Sequence, residues 1–188
     1  MKSLKVVIAS ASVSAINAFI RCVSEIAVLD IPRRVTRDGE EAESSLMFGR
    51  LALPEGIVLQ LFGIHSDDVA HFPWDSLSAG LVGVVVLVDA ASGSSMEEAV
   101  PVLRFLEAGD SPVVIAAEHL AGHDEAGTAL REQLQPAGHI GLAPLKGGDR
   151  ASARDALVTL VRQGLAASSA STGPDATAAA GETRTESR

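Results

Sequence analysis

Tyrosine is absent from this chain, and phenylalanine and tryptophan raise the aromatic share to only 3%. Platforms that stack the bases of single-stranded nucleic acid need several aromatic faces. The formal net charge of −9 points the same way. A phosphate backbone rewards clustered Lys and Arg, and no basic stripe runs through the sequence, so nucleic acid is not expected as a partner. One cysteine, Cys22, excludes a disulfide framework, and as a helix residue it reads as a small apolar packer. The longest apolar run, Leu81 to Val88, is too short to span a bilayer, so no integral membrane segment is expected. The first residues lead straight into an expected strand, without the layout of a secretion signal. A cytoplasmic location is the default expectation.

What remains is strongly apolar. Hydrophobic residues make up 47% of the 188, and mean hydropathy is +0.26, enough for one domain with a sizeable core. Residues 4–9 read as a buried strand. Val13, Ile16, Ile20 and Val23 then recur at spacings of three and four, one face of a helix, with Ser12 or Ser14 as its N-cap. Residues 30–45, "DIPRRVTRDGEEAESS", hold ten charged, Gly or Pro residues and read as a long exposed loop. Apolar segments at 46–53 and 57–62 flank Pro54-Glu55-Gly56 and predict a hairpin. A polar loop at 64–73, a short helix at 74–79 and an uninterrupted β-branched strand ending in Asp89 follow. Helices at 95–108, 124–135 and 149–166 alternate with strands at "SPVVIAAE" and near 139–143. From Ala166 onward only small and polar residues remain, so 167–188 reads as a disordered tail.

This order predicts an α/β fold: a mostly parallel six-stranded sheet with one antiparallel hairpin strand and helices on both faces. Ligands of such sheets bind beyond the carboxyl ends of the strands.

The segments "KVVIA" at 5, "FIRCVSEI" at 19, "MFGRLAL" at 47, "LQLFG" at 59, "WDSLSAGLVGVVVLVDA" at 74 and "ALVTLVRQGL" at 156 carry a resemblance. Together they resemble the conservon-type small GTPases, Ras-like relatives of the Mgl-type polarity GTPases. The resemblance covers most of the first 165 residues and implies a P-loop NTPase fold over 1–166. It also implies a switch that works with roadblock-type protein partners.

The nucleotide boxes of that family depart here one after another. Its phosphate loop is a glycine, four residues, then Gly-Lys-Ser/Thr, in which backbone N–H groups, the lysine and the hydroxyl hold phosphates and magnesium. The matching positions are Ser10, Ala15, Ile16 and Asn17, with Ser12 and Ser14 between them. Ile16 in the lysine's place removes the cation. The family's second loop corresponds to Phe62-Gly63-Ile64-His65-Ser66-Asp67, where Asp67 replaces the water-positioning glutamine. The guanine-reading pair corresponds to Glu118 and Ala121. Only Glu43, Ser44 and Ser45 stand where a magnesium-binding threonine is implied. At roughly 1.5–3 kcal/mol per hydrogen bond to a charged group, these losses weaken binding by about 5–8 kcal/mol. A nanomolar site would then fall to roughly ten micromolar to millimolar.

The expectation is therefore a degenerate small GTPase that acts by protein–protein contact, with no cofactor. The resemblance implies a docking surface from the loops at 30–45 and 64–73 and the hairpin strand at 46–53, including Phe48, Arg50, Leu51, His65, Asp67, Asp68 and Trp74. An edge strand at 46–53 would be its rail. Ser10, Ser12 and Ser14 could still attract an anion at a helix N-terminus, but most such serines only cap. The alternative is a small GTPase with a rebuilt pocket that binds GTP or ATP with magnesium. A third reading is an unrelated ligand held by Ser10, Ser12, Asp67 and Asp89. His65, Asp67, Asp68 and His71 offer metal donors within seven residues, as do His119 and His123 beside Glu118 and Asp124. Both groups read as solvated loop or cap residues, with no metal expected. Asp89 reads as a cap for the loop that follows its strand.

Overall fold

Val6, Val7, Ile8 and Ala9 are all completely buried, as a continuous apolar run requires when both faces of its strand are covered. The computed structural model describes residues 2–37, 39–109, 111–120, 132 and 140–170. In chain order the elements are β1 (Lys2–Ser10), α1 (Val13–Val23), β2 (Leu29–Arg37), β3 (Glu40–Leu53), β4 (Ile57–His65) and a 3-10 turn (Ser66–His71). Then come α2 (Trp74–Leu77), β5 (Leu81–Asp89), α3 (Gly93–Glu107), β6 (Val113–Glu118), β7 (Gly141–Pro144) and α4 (Arg150–Ala170).

The strands form one α/β sheet in the order β2-β3-β4-β1-β5-β6-β7. Of these, β3 alone runs against its neighbours; the pairs β4–β1, β1–β5, β5–β6 and β6–β7 are parallel. The sheet has seven strands rather than the six expected. The extra strand comes from the segment read as a loop: residues 29–37 pair with 40–48, Leu29 opposite Phe48 and Arg37 opposite Glu40. Two residues, Asp38-Gly39, join the strands, and Gly39 takes φ +86°, which glycine adopts without penalty. Arg34, Glu40, Glu41 and Glu43 of the segment face water, and Arg34 meets Glu41 across the pair at 3.9 Å. Polarity therefore marked a largely solvated hairpin and not a loop.

The second hairpin matches its expectation. β3 and β4 pair from Met47–Gly63 to Leu53–Ile57, around a turn in which Glu55 and Gly56 take φ 63° and 72°. The helix expected at 74–79 is shorter, Trp74–Leu77. The last helix runs to Ala170, past the expected start of the tail. Apart from residue 132, which is helical, the helix expected at 124–135 lies outside the described residues, as does the remainder of the tail.

Two apolar layers enclose the sheet. On one face α1 and α4 cover Val6, Ile8, Leu59, Leu61, Val85 and Val114. On the other, α3 and the 3-10 turn cover Val7, Ala9, Ile64, Val84, Val86 and Ile115. The connection from β4 to β5 crosses β1, so β1 and β5 flank the point where the chain's progress across the sheet reverses. Crevices at such points are where ligands of open α/β sheets bind.

Candidate functional site

The β1–α1 junction occupies that point. Only Ala11 and Ser12 separate the strand from the helix. Ser12 is the N-cap: its Oγ accepts the N–H of Ala15 at 3.2 Å, and its carbonyl accepts the N–H of Ile16 at 3.1 Å. Ser14 shares a hydrogen bond with the Ser12 hydroxyl at 2.9 Å. Ser10 is buried, donates to the Leu87 carbonyl at 3.3 Å and accepts the Ser12 N–H at 3.2 Å. The serines are thus engaged in ending one element and starting the next. Ile16 is 1% exposed and belongs to the core beneath α1. It lies so close to Gly63 of β4 that a Cβ there would overlap Ile16 Cγ2, with Ile20 Cδ1 at 2.9 Å. Asn17 is half-buried on the next helical position.

A cavity of about 520 Å3 opens beside this junction, between the carboxyl ends of β1 and β5 and the start of α3. Ser10, Ser12 and Ser14 line it together with Asp89, Glu98 and Glu118, and no lysine or arginine is among its described lining residues. Three carboxylates with no cation make this a poor place for a phosphate. Asp89 Oδ1 accepts the Ala91 N–H at 2.9 Å and the His119 Nδ1–H at 2.8 Å. These bonds, the backbone one foremost, hold its carboxyl below the usual carboxylate range. Asp89 therefore caps the loop after β5. Asp67 does not join Ser10, Ser12 and Asp89; it lines a separate cleft against α3. The four-residue pocket of the third reading is not assembled.

The strongest electrostatic feature lies elsewhere. Asp68, in the 3-10 turn, is 1% exposed. Its Oδ1 accepts Arg37 Nη2–H at 2.7 Å and Nε–H at 3.2 Å, while its Oδ2 accepts the Ser44 hydroxyl. Burial pushes this carboxyl up, but the Ser44 hydroxyl and then the Arg37 guanidinium outweigh it and hold the group below its ordinary value. Three segments meet in this clamp: the ends of β2 and β3 and the turn after β4. Arg33 adds a fourth contact, lying 5.4 Å from the centre of the Phe72 ring. His65 ties the turn back to the β1–α1 junction. Its Nε2–H donates to the Ala11 carbonyl at 2.9 Å, and its Nδ1 accepts the Asp67 N–H at 3.3 Å. In a neutral ring those two bonds select the Nε2–H tautomer.

Several proposed docking residues are placed differently from the expectation. Asp68 is the buried centre of the clamp and not a surface contact. Leu51 is 7% exposed and part of the core on the α1 side. Its strand is not the sheet edge, since β2 lies outside it and Ser24 and Glu25 bond to the backbone of Arg50. Phe48 is half-buried against Phe62, ring centres 5.4 Å apart. Trp74 donates its indole N–H to the Val69 carbonyl at 2.8 Å and packs edge-on to Phe72. Arg50 and Asp67 are exposed. Among the described residues no group of three or more His, Cys, Asp or Glu side chains could hold a metal ion. His123, Ala121 and Asp124 lie outside the described residues. Burial pushes the Cys22 thiol above its ordinary value.

Sequence reasoning missed the Arg37–Asp68 pair, because its partners are thirty-one positions apart. The Asp38-Gly39 dipeptide, a strong hairpin signal, would have revealed β2. No family model matches this chain, and no curated protein does. Among the described residues no helix is long and apolar enough to cross a membrane.

Proposed function

We propose that the chain is a small GTPase-like protein whose nucleotide site has been replaced by internal contacts, and that it acts as a protein-binding module. The carrying observation is Ile16. At the position where the resemblance implies the phosphate-binding lysine, it is core, packed against Gly63. A phosphate cradle needs a loop whose N–H groups turn inward. Here the connection is two residues long, and the N–H groups of Ala15 and Ile16 bond within the helix start. The parallel order with its single reversed strand supports the reading, with β2 as an addition at the edge.

The clamp supplies the working logic. In a GTPase, the γ-phosphate and magnesium hold the switch loops together and release them on hydrolysis. Arg37, Ser44 and Asp68 join the corresponding segments directly, side chain to side chain. Such a protein offers its partner one standing conformation. A cytoplasmic partner of roadblock type is what the resemblance implies for that role. The cavity at the β1–β5 crevice favours a second reading, a rebuilt small-ligand pocket, and its acidic lining selects a cationic group over a nucleotide.

Thermal unfolding with GTP, GDP or ATP, each with magnesium, tests the reading. The midpoint should not move at micromolar nucleotide. Ligand at a hundred times its Kd stabilises a native state by about 2.7 kcal/mol, roughly 5–11 °C for a domain of this size. A shift of that order with any nucleotide overturns the proposal.

A further inference from the structure

Among the described residues, no α-helix packs over the β2–β3 end of the sheet on one of its faces. Strand alternation places Leu29 and Ile31 of β2, Leu46 and Phe48 of β3 and Phe62 of β4 on the same side as Val7 and Ile64. Over β5 and β6 that side is covered by α3. Over β2 the 3-10 turn reaches only the far half, where Arg33 meets Phe72 and Arg37 meets Asp68. Leu29 and Ile31 stay 50% and 43% exposed, and Leu46, Phe48 and Phe62 are half-buried.

The charges on this face are sorted. The same alternation puts Arg33, Arg50 and Lys5 around the apolar residues, and no ion pair forms on these three among the described residues. The hairpin's acids Asp30, Glu41 and Glu43 lie on the opposite side, and Glu40 is at the far tip. A chain of net charge −9 thus carries a locally cationic rim around a bare apolar patch.

We propose that this face seats an amphipathic helix of a partner protein, its apolar side flanked by carboxylates. A helix is the element that an open sheet face of this kind lacks, since α/β sheets bury each face under helices. Carboxylates follow from the rim. A second copy of this chain is disfavoured, because joining the face to itself brings two cationic rims together. The assignment rests on the reading of the chain as a protein-binding module and names the chemistry of what it binds.

The test uses two helical peptides of about 18 residues, five turns, with the same Leu/Ile face. One is flanked by Glu and the other by Lys. Each is titrated into the isotopically labelled full chain and followed by amide NMR. The Glu peptide should bind saturably, move the amides of Leu29, Ile31, Phe48 and Phe62, and weaken as salt rises. The Lys peptide should bind at least about tenfold more weakly, a difference of about 1.4 kcal/mol. Arg50→Glu and Ile31→Ser, both at exposed positions, should each lower the affinity for the Glu peptide about tenfold while leaving the thermal midpoint in place. Absence of binding, equal binding of both peptides, or shifts confined to other surfaces overturns the assignment. So does a dimer in light scattering that Ile31→Ser dissolves, which would make a second copy the occupant. Peptide failure with no response to nucleotide sinks this assignment alone, whereas a nucleotide response sinks the function proposed above.

Discussion

Two junctions at the carboxyl end of the sheet have taken opposite routes. Between β1 and α1, the position implied for a lysine holds Ile16, and the neighbouring N–H groups bond to Ser12. Between the β2–β3 hairpin and the turn after β4, a full ion pair is buried with a hydroxyl beside it. One junction is closed by apolar packing and the other by charge. Both arrangements fix neighbouring segments to one another, which under the function proposed above is the work a ligand does in a switch. The difference lies in how each fails. Apolar closure fails when a charge enters it, and ionic closure fails when a charge leaves.

The largest effect should come from putting charge into the first junction. Ile16→Lys removes a fully buried side chain, worth about 2–5 kcal/mol when truncated, and brings an ammonium into the core. A loss of about 4–5 kcal/mol in urea unfolding is expected, with no gain of GTP binding. A stable variant that binds GTP would show that the junction is still a phosphate site.

Removing charge from the second junction comes next. Asp68→Ala leaves Arg37 and Ser44 without their shared acceptor. Breaking a buried pair from one side costs about 3–5 kcal/mol. Arg37 is one-third exposed and can turn to water, so about 3 kcal/mol is expected, read as a fall in Tm of roughly 6–12 °C. The same group predicts a pH dependence. The folded-state pKa of Asp68 lies below its ordinary value, so the native state holds the proton less tightly than the unfolded chain does. The stabilisation is complete above the ordinary carboxylate pKa of about 3.9 and is lost as pH falls through it towards the depressed value. Asp68→Asn should flatten that acid limb of a stability–pH curve. An unchanged limb would place the acid sensitivity in other carboxylates.

The smallest effect sharpens the apolar side of the comparison. Gly63→Ala puts a methyl group onto Ile16 and Ile20, an overpacking that costs about 1–3 kcal/mol. The double variant Ile16→Val/Gly63→Ala should be more stable than the sum of the two singles predicts, because one change makes room for the other. Strict additivity in denaturation midpoints would mean that the two residues do not press on each other.

Much of this fold is legible in residues 4–9 and 81–89, where runs buried on both faces leave little choice but parallel central strands, and in the apolar segments around Pro54-Glu55-Gly56, which read as a hairpin. The helix at Val13–Val23 is equally readable, because its spacing and its serine cap agree. The β2 strand was obscured by its own solvation: a hairpin at the sheet edge has few apolar residues to announce it. In the candidate site, the departures of Ser10, Ala15 and Ile16 from the phosphate loop that the resemblance implies can be read from residue type alone. Where Ile16 goes cannot, since that depends on Gly63 of a strand forty-seven positions away. The Arg37–Asp68 clamp was invisible for a similar reason. An arginine in a charged run and an aspartate in a polar loop both look solvated until the topology brings them together.

Amide hydrogen exchange at the two junctions, with and without GTP and magnesium, tests the central claim most directly. If internal contacts have taken over from the ligand, the amides of Ala15 and Ile16, which bond to Ser12, and those of Ser44 and Asp68 should already be protected in nucleotide-free protein, and saturating GTP should leave their exchange unchanged. Rapid exchange at these positions that slows when GTP and magnesium are added would contradict the account.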